Sequence, residues 1–141
     1  MAPLFLNLSN HPAAHWSPEQ RAAALVLAAP IADLGFPPVP ADADEAAIDR
    51  LAEDCARQLP RGVTHALVQG EFTLTLALVL RLQRLGAVCL AATSTRRVQS
   101  QADGRKLAEF SFVRFRAYPW LVGGDGSSPA PKTTLRRDRQ P

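Results

Sequence analysis

Short apolar runs alternate with helix-like segments along most of this chain, and this alternation restricts the fold more than any other feature. The apolar runs Leu4–Leu8, Ile31–Leu34, Thr64–Val68 and Ala87–Ala92 have the length and residue types of β-strands. The segments between them are long enough to connect one parallel strand to the next. The order β-α-β-α-β-α-β therefore predicts an α/β fold, a Rossmann-like three-layer sandwich with a central, mostly parallel sheet.

The first two helix segments carry clear capping signals. Ser17 is a good N-cap, and the alanine- and leucine-rich stretch after it predicts a helix that runs to about Pro30. Asp42 or Asp44 caps a second helix, Glu45–Leu59, whose apolar residues recur at helical spacing with charges on the other face. This amphipathic helix is expected to lie at the protein surface.

The third helix segment, Phe72–Leu85, is apolar on nearly every side. A helix with so little polar surface is usually buried on two sides. A chain of 141 residues can build one ordinary core, so the second side of this helix is available to another subunit. The sequence therefore predicts a homodimer that forms through the Phe72–Leu85 helix.

The pattern changes after the fourth strand. Arg97–Gln101 and Lys106–Arg116 are strand-like, and Ala102–Arg105 between them contains the Asp-Gly pair that is typical of a tight turn. These segments predict a C-terminal β-hairpin. Three phenylalanines give it an aromatic-rich edge: Phe110, Phe112 and Phe115.

Residues 1–118 are predicted to form a single domain, and residues 119–141 a disordered basic tail that is rich in glycine, serine, proline and basic residues. The tail carries +2 of the formal net charge of +3, so the folded part is close to neutral. A near-neutral body argues against a protein that coats duplex DNA, because such proteins present a basic face.

Other classes are excluded by missing signals. Cys55 and Cys89 lie in apolar patterns without metal-ligand spacing, so we expect both to be core residues and expect no bound metal. We also expect no cofactor. No G-x-G-x-x-G follows the first strand, which argues against a dinucleotide dehydrogenase. The N-terminus lacks the features of a signal peptide, and no run of about 18 apolar residues exists, so the expected location is cytoplasmic, away from membranes.

Polar residues follow three of the predicted strands, and the carboxyl ends of parallel strands meet at one edge of a sheet. Hydroxyls and amides bind phosphate oxygens, glycine lets the backbone approach a ligand closely, and arginine is a forked cationic donor. These types suit a nucleotide or phosphodiester ligand, and His11 can serve as general acid or base. The residues are Ser9, Asn10 and His11, then Gln69, Gly70 and Glu71, then Thr93, Ser94, Thr95, Arg96 and Arg97.

Simpler structural interpretations remain open for several of these residues. His11, next to a proline, can fix a turn by hydrogen bonding alone, and His15 reads as a surface residue. Glu71 can be a charge at the start of the third helix, where the helix dipole favours it. Asp33 can cap a loop at the end of the second strand.

The opening of the chain resembles a known family. A short apolar strand followed by S-N-H-P-A-A-H-W is similar to the strand and S/T-x-H-P-x-A-x-x-W opening of small stand-alone CRISPR-associated proteins of type III systems. These proteins look like reduced CRISPR-associated Rossmann-fold (CARF) domains, and several such families are ring nucleases that cleave cyclic oligoadenylate. Gly70 and Thr73, at the head of a long apolar helix, also resemble the ligand-facing helix start of CARF domains.

The resemblance implies a homodimer with cyclic oligoadenylate lying across its twofold axis. The implied cleavage is metal-independent: a ribose 2′-hydroxyl attacks the adjacent phosphate and leaves a 2′,3′-cyclic phosphate end. Ser9, Asn10 and His11 would contact phosphate or activate the hydroxyl, and Arg96 would stabilise the phosphorane. The other implied ligand-binding residues are Gln69, Gly70, Glu71, Thr73, Thr93, Ser94, Thr95 and Arg97.

Two alternatives stay open at this point. The same edge of the sheet could bind a cyclic nucleotide without cutting it, as a sensor or sponge, because binding and cleavage need the same donors. The chain could also be a Rossmann-like module that binds another nucleotide or a protein partner, with His11 purely structural.

Overall fold

The computed structural model describes residues 2–122, which form five strands, three α-helices and one short 3-10 turn. The strands are β1 (Leu4–Ser9), β2 (Ile31–Asp33), β3 (Val63–Gln69), β4 (Val88–Ser100) and β5 (Lys106–Ala117). The helices are α1 (Pro18–Leu27), α2 (Glu45–Arg57) and α3 (Phe72–Arg84), and the 3-10 turn is Ala13–His15.

The five strands form one sheet in the order β2-β1-β3-β4-β5. Neighbouring strands from β2 to β4 are parallel, and β5 is antiparallel to β4. The predicted α/β fold with a mostly parallel sheet and a C-terminal hairpin is confirmed. Because the chain builds outward from β1 to β2 and then returns to place β3 on the other side of β1, the strand order reverses between β1 and β3.

Side chains of β1 alternate between two cores, because a strand presents successive residues to opposite faces. Phe5 packs with Trp16 and Phe115 on the face that α1 covers. Leu6 and Leu8 pack on the face that α2 and α3 cover. All three β1 side chains are at most 1% exposed. The helices therefore cover both faces of the sheet and complete the three layers.

The local signals at the helix ends act as predicted. Ser17 caps α1 by accepting a backbone N–H of the first turn at 3.2 Å. Of the two candidates for α2, Asp44 is the cap, and its carboxylate accepts the Ala47 N–H at 2.9 Å. α3 ends just before Gly86, whose φ of +85° is a conformation that glycine adopts without strain.

The predicted end of the fourth strand at Ala92 is wrong. β4 continues to Ser100, although its pairing with β3 ends at Leu90. β5 pairs with β4 along the remaining length and supplies the hydrogen bonds that β3 no longer offers. Thr93–Arg96, which the prediction left between two strand segments, therefore belongs to one continuous strand, and the strand predicted from Arg97 is its continuation. We call Ala91–Arg116 the hairpin arm; it extends roughly 30 Å past the last β3 pair, at about 3.3 Å per residue.

Cys55 and Cys89 are free and buried, which confirms that they are core residues. Burial raises the pKa of the Cys89 thiol to about 12, and burial raises the pKa of the Cys55 thiol as well. Both thiols are therefore protonated at neutral pH, the form in which cysteine is a poor nucleophile.

One side of α3 packs into the core through Leu74, Leu78 and Leu82. Another side stays open to solvent, where Phe72 is 89% exposed and Leu76 is 52% exposed. The homodimer predicted for this helix remains a prediction. Within residues 2–122, no helix, α3 included, is long and apolar enough to cross a membrane.

The chain after β5 is bound to α3. The Gln83 amide is 1% exposed; its Nε2 donates to the Pro119 carbonyl and its Oε1 accepts the Leu121 N–H, both at 2.8 Å. The first residues of the segment predicted as a disordered tail are therefore held against the domain. The rest of that tail, from residue 123 onward, lies outside the described residues.

Candidate functional site

A cavity of about 920 Å³ opens at the carboxyl edge of the sheet, between the ends of β1 and β3, the start of α1 and the hairpin arm. The segments Ser9–His11, Gln69–Gly70 and Thr93–Ser94 all line it. The three polar segments that the sequence expects to meet therefore do meet, although several of their residues lie elsewhere.

The position of the cavity follows from the topology. The chain leaves β1 toward α1 on one face of the sheet and leaves β3 toward α3 on the other face. The two connections diverge and leave a crevice between them. Such a reversal of strand order is where ligands bind in open α/β sheets.

Asn7, which sequence reasoning missed, holds the β1 end of the cavity together. It is 1% exposed, and its Nδ2 donates to the His11 carbonyl and to Asp33 Oδ1, both at 2.8 Å. Its Oδ1 accepts the Ser9 hydroxyl at 2.7 Å. A polar residue inside the apolar run of β1 was the available signal, because a buried amide must find partners.

The same network fixes the backbone of His11 and leaves its side chain exposed. The His11 carbonyl also accepts the Trp16 indole N–H at 3.1 Å, and the His11 N–H donates to the Ser9 hydroxyl at 3.3 Å. Within residues 2–122, these hydrogen bonds involve only the backbone of His11. The turn is thus held without the imidazole, which lies at the cavity on a rigid support.

Ser9 and Asp33 have structural tasks in this turn. The Ser9 side chain is buried, and its hydroxyl has two acceptors within the turn, Asn7 Oδ1 at 2.7 Å and the His11 carbonyl at 3.3 Å. Asp33 Oδ1 accepts the Ala13 N–H at 3.1 Å in addition to the Asn7 amide, so it caps the 3-10 turn, as the simpler interpretation of Asp33 expected. The catalytic contact predicted for Ser9 would require this hydroxyl to leave Asn7.

Gln69 and Gly70 connect the end of β3 to its surroundings. Gln69 Oε1 accepts the Ala92 N–H at 2.9 Å, just where β4 diverges from β3. A Cβ at residue 70 would overlap the ring of Phe36, which is buried in the core on the α3 side. Glycine therefore permits a close approach here, and the group that approaches is Phe36.

Glu71 and Thr73 were expected at the ligand but lie in the cap of α3 and do not line the cavity. The Glu71 carboxylate accepts the Thr73 and Leu74 N–H groups at 3.0 and 2.8 Å and the Thr73 hydroxyl at 2.7 Å. These hydrogen bonds hold the pKa of Glu71 below its ordinary value. The bond from the Leu74 N–H has the largest effect, and the two bonds from Thr73 follow. The simpler interpretation of Glu71 fits this arrangement, because its carboxylate already occupies the amides that a phosphate would need.

The predicted arginines lie on the hairpin arm, outside the cavity lining. Arg96 pairs with Phe110 and Arg97 pairs with Glu109, so the two arginines point to opposite faces of the arm. Phe110 lines the cavity, which puts Arg96 on the cavity-facing side but farther out. Thr95 points the same way as Arg97, away from the cavity.

Thr93 and Ser94 differ in their tasks, although both line the cavity. The Thr93 hydroxyl donates to the Arg114 carbonyl at 3.0 Å and accepts the Arg114 N–H at 3.2 Å. These bonds belong to the hairpin, so the Thr93 hydroxyl is occupied. Ser94 is exposed on the cavity-facing side and pairs with Phe112.

Eight further lining residues were not singled out as ligand-facing by the sequence, and Trp16, Leu67 and Ala92 are three of them. His15, Ser17 and Gln20 reach the cavity from the start of α1, and Phe110 and Phe112 reach it from the arm. His15 is exposed, as expected of a surface residue, and the surface on which it lies is the wall of the cavity. The available signal was its position just before a helix that starts at the carboxyl edge of the sheet.

The lining of the cavity combines apolar side chains with polar ones and, in the described part of the chain, contains no acidic residue, lysine or arginine. Its polar groups are imidazoles, amides and hydroxyls. Within residues 2–122 no three histidine, cysteine, aspartate or glutamate side chains are grouped to hold a metal ion. The arrangement can donate hydrogen bonds to an anion and transfer protons through imidazole.

Residues 3–116 match the model of the Uncharacterized protein MJ1673 family. The chain belongs to this family. The matched segment includes every residue that lines the cavity. No curated protein and no solved structure matches the chain.

Replacing Asn7 tests the network at the end of β1. Asn7→Ala removes the hydrogen bonds to the His11 carbonyl, the Asp33 carboxylate and the Ser9 hydroxyl, so we expect the free energy of unfolding to fall by about 1–3 kcal/mol in urea denaturation. The matched control is Asn10→Ala, because Asn10 is an exposed neighbour and its loss should change stability by less than about 0.5 kcal/mol. Equal effects of the two substitutions would contradict the role given to Asn7.

Glu71 predicts a pH dependence of stability. Its folded-state pKa is lowered, so the ionised cap stabilises the fold above the ordinary glutamate value of about 4.3 and loses its effect as the pH falls through the lower, folded-state pKa. The stability difference between wild type and Glu71→Gln should therefore be full near neutral pH and shrink in acid, as measured by thermal unfolding at a series of pH values. The control is Glu19→Gln, because Glu19 is an acidic residue in the first turn of α1. A difference that does not change with pH would refute the prediction.

Proposed function

We propose that this chain is a ring nuclease that binds and cleaves cyclic oligoadenylate second messengers and so switches off type III CRISPR signalling. The supporting observation is the cavity at the reversal of strand order, where Ser9–His11 and Gln69–Gly70 face the hairpin arm. Its volume of about 920 Å³ is near the upper end for small-molecule sites, which suits a ligand larger than one nucleotide. The proposal includes the cytoplasmic location that the sequence predicts.

The proposed cleavage is an internal transfer. The 2′-oxygen of one ribose bonds to the adjacent phosphorus, and the bond from phosphorus to the 5′-oxygen breaks. The 2′-hydroxyl proton passes to a base, and the 5′-oxygen receives a proton, so the products are a 2′,3′-cyclic phosphate and a 5′-hydroxyl. His11 is proposed as the base and His15 as the second proton-transfer group, because both line the cavity and imidazole exchanges protons near neutral pH.

Neutral donors would position the phosphate in this scheme. The hydrogen bond from Ala92 uses only the Oε1 atom of Gln69, so the Gln69 amide N–H groups are available to a phosphate oxygen. Asn10 and Ser94 are exposed at the same cavity. Held in line by such donors, the reacting atoms gain the advantage of an oriented intramolecular reaction.

A homodimer through α3 is part of the proposal. Phe72 follows Gly70, a cavity-lining residue, by two positions in the sequence, and its side chain is 89% exposed. A twofold axis near Phe72 would bury it and bring two cavities to one ring-shaped ligand. The apolar exposure of α3 supports this arrangement.

Binding without cleavage is the second candidate, and specific observations favour it. The Ser9 hydroxyl is bonded to Asn7, and Arg96 is absent from the cavity lining. Two of the four residues expected to act in catalysis are therefore not free at the cavity, whereas Asn10, Gln69 and Ser94, which can bind a phosphate, do line it. A sponge would keep the same ligand and lack the proton transfers.

Substituting Phe72 tests the dimer. The wild-type chain should elute with twice its 15.2 kDa mass in size-exclusion chromatography with light scattering. Phe72→Asp should shift it to the monomer, because the interface would then bury an unpaired charge. Val26→Asp is the control, since Val26 is 86% exposed on α1 and should leave the dimer intact. A monomeric wild type, or dissociation only in Val26→Asp, would refute the α3 interface.

Cleavage is tested with labelled cyclic tri-, tetra- and hexa-adenylate in the presence of EDTA. Wild type should give linear products with 2′,3′-cyclic phosphate ends. His11→Ala should slow the reaction by about 10²–10⁴-fold, the usual contribution of a general acid or base. His65→Ala is the control, because His65 is half-buried in β3 and does not line the cavity.

The outcomes separate the candidates. Linear products that depend on His11 support the enzyme. Tight binding without products supports the sponge and refutes cleavage. Neither binding nor products would refute both and leave a module for another nucleotide or a protein partner.

A further inference from the structure

We propose that the cavity-facing side of the hairpin arm is a base-stacking platform, on which Phe110 and Phe112 hold nucleobases and Arg96 binds the phosphate between them. The inference rests on the proposed function in that it takes the ligand to be an oligonucleotide. It assigns binding to side chains beyond the polar edge of the sheet. A cyclic oligonucleotide, or a single strand, would then extend from the cavity along the arm.

The first observation is the chain of aromatic rings that leads from the core to the cavity. The Phe5 and Phe115 ring centroids are 5.3 Å apart, and those of Phe115 and Phe112 are 5.0 Å apart. Phe112 is thus supported from below by buried rings. Phe110 comes next on the same face and lines the cavity while 70% of it is exposed, so its ring offers an open apolar surface to a ligand.

The second observation is the β-bulge that sets this face. The pairing passes from Thr93 with Arg114 to Ser94 with Phe112, so Val113 is the extra residue. Regular alternation from the buried Phe115 would have brought Val113 to the cavity-facing side. The bulge brings Phe112 and then Phe110 there instead, and bulges beside binding sites commonly redirect side chains in this way.

The third observation is the separation of charge. The hairpin arm has six lysine or arginine residues and two acidic ones, a net charge of +4, whereas residues 2–90 have six arginines and nine acidic residues, a net charge of −3. Arg96 stands directly opposite Phe110 on the cavity-facing side. A cation beside an exposed ring is the combination that binds single-stranded nucleic acid, where rings stack with bases and cations hold the backbone.

The Phe110 ring and the Arg96 charge together favour a ligand that has both bases and phosphates. An apolar partner would not need Arg96, and a simple anion would not need Phe110. The neutral cavity lining adds hydrogen-bond donors for sugar and phosphate. A base-bearing oligonucleotide uses all three features.

The test measures stacking directly. The probes are 2′-deoxy cyclic tetra-adenylate, which the 2′-hydroxyl route cannot cleave, and linear tetra-adenylate, each with one adenine replaced by 2-aminopurine. Stacking quenches 2-aminopurine fluorescence. Phe110→Ala should weaken binding at least about fivefold and reduce the quenching, since one base–aromatic stack is worth about 1–3 kcal/mol, and Phe110→Trp should restore both.

Controls on the other face of the arm isolate the effect. Leu107 is 43% exposed and pairs with Gln99, and Arg116 pairs with Ala91; both point away from the cavity. Leu107→Ala and Arg116→Ala should keep wild-type affinity and quenching. Arg96→Ala should weaken binding and reduce its salt dependence, whereas a general effect of arm charge would make Arg96→Ala and Arg116→Ala equal and overturn the role of Arg96.

Failure of this inference is distinct from failure of the proposed function. If the cyclic probe binds and Phe110→Ala matches Leu107→Ala, the platform is refuted and the proposed function stands. If only the linear probe binds, with quenching that depends on Phe110, the platform stands and the cyclic ligand is refuted. If Phe110→Ala changes the oligomeric mass of the ligand-free protein, Phe110 belongs to a subunit interface and the platform is overturned. The platform is also overturned if neither probe binds.

Discussion

The candidate site depends on one buried amide. Asn7 sits in the middle of the sheet at 1% exposure and ties together the Ser9 hydroxyl, the His11 carbonyl and the Asp33 carboxylate. A buried amide without partners is costly, so the turn after β1 adopts the one conformation that satisfies it. That conformation leaves the His11 side chain at the cavity.

The hairpin arm forms the other wall of the cavity, and packing against the core holds it in place. Two strands alone are marginally stable in water, but this pair grows out of a buried sheet and is anchored by Phe115, Phe112 and the bulge at Val113. The arm also gathers the positive charge, while the rest of the domain is acidic. The cavity, whose described lining has no acidic residue, lysine or arginine, is thus bordered by a basic, aromatic wall, which is the basis of the ligand class that we propose.

Much of the fold could be predicted because it depends on local signals. The caps at Ser17 and Asp44 and the glycine stop at Gly86 act within one helical turn. The meeting of Ser9–His11 with Gln69–Gly70 followed from the predicted parallel sheet, whose strands end at one edge. The tasks of Glu71 and Asn7 were harder to predict, because a carboxylate at a helix start can serve a ligand or its own amides, and a polar residue in a strand shows its partners only after folding.

The sequence by itself determined the elements, the parallel sheet and the edge at which polar residues collect, since hydrophobic periodicity and connection length specify these. Tertiary structure decided which of those residues reach the cavity. β4 runs to Ser100 because β5 is there to pair with it, and this long strand carries Arg96 and Arg97 past the cavity and out of its lining. The bulge at Val113 brings Phe110 and Phe112 in. Strand pairing and register act between residues far apart in sequence, so the pattern of one strand does not contain them.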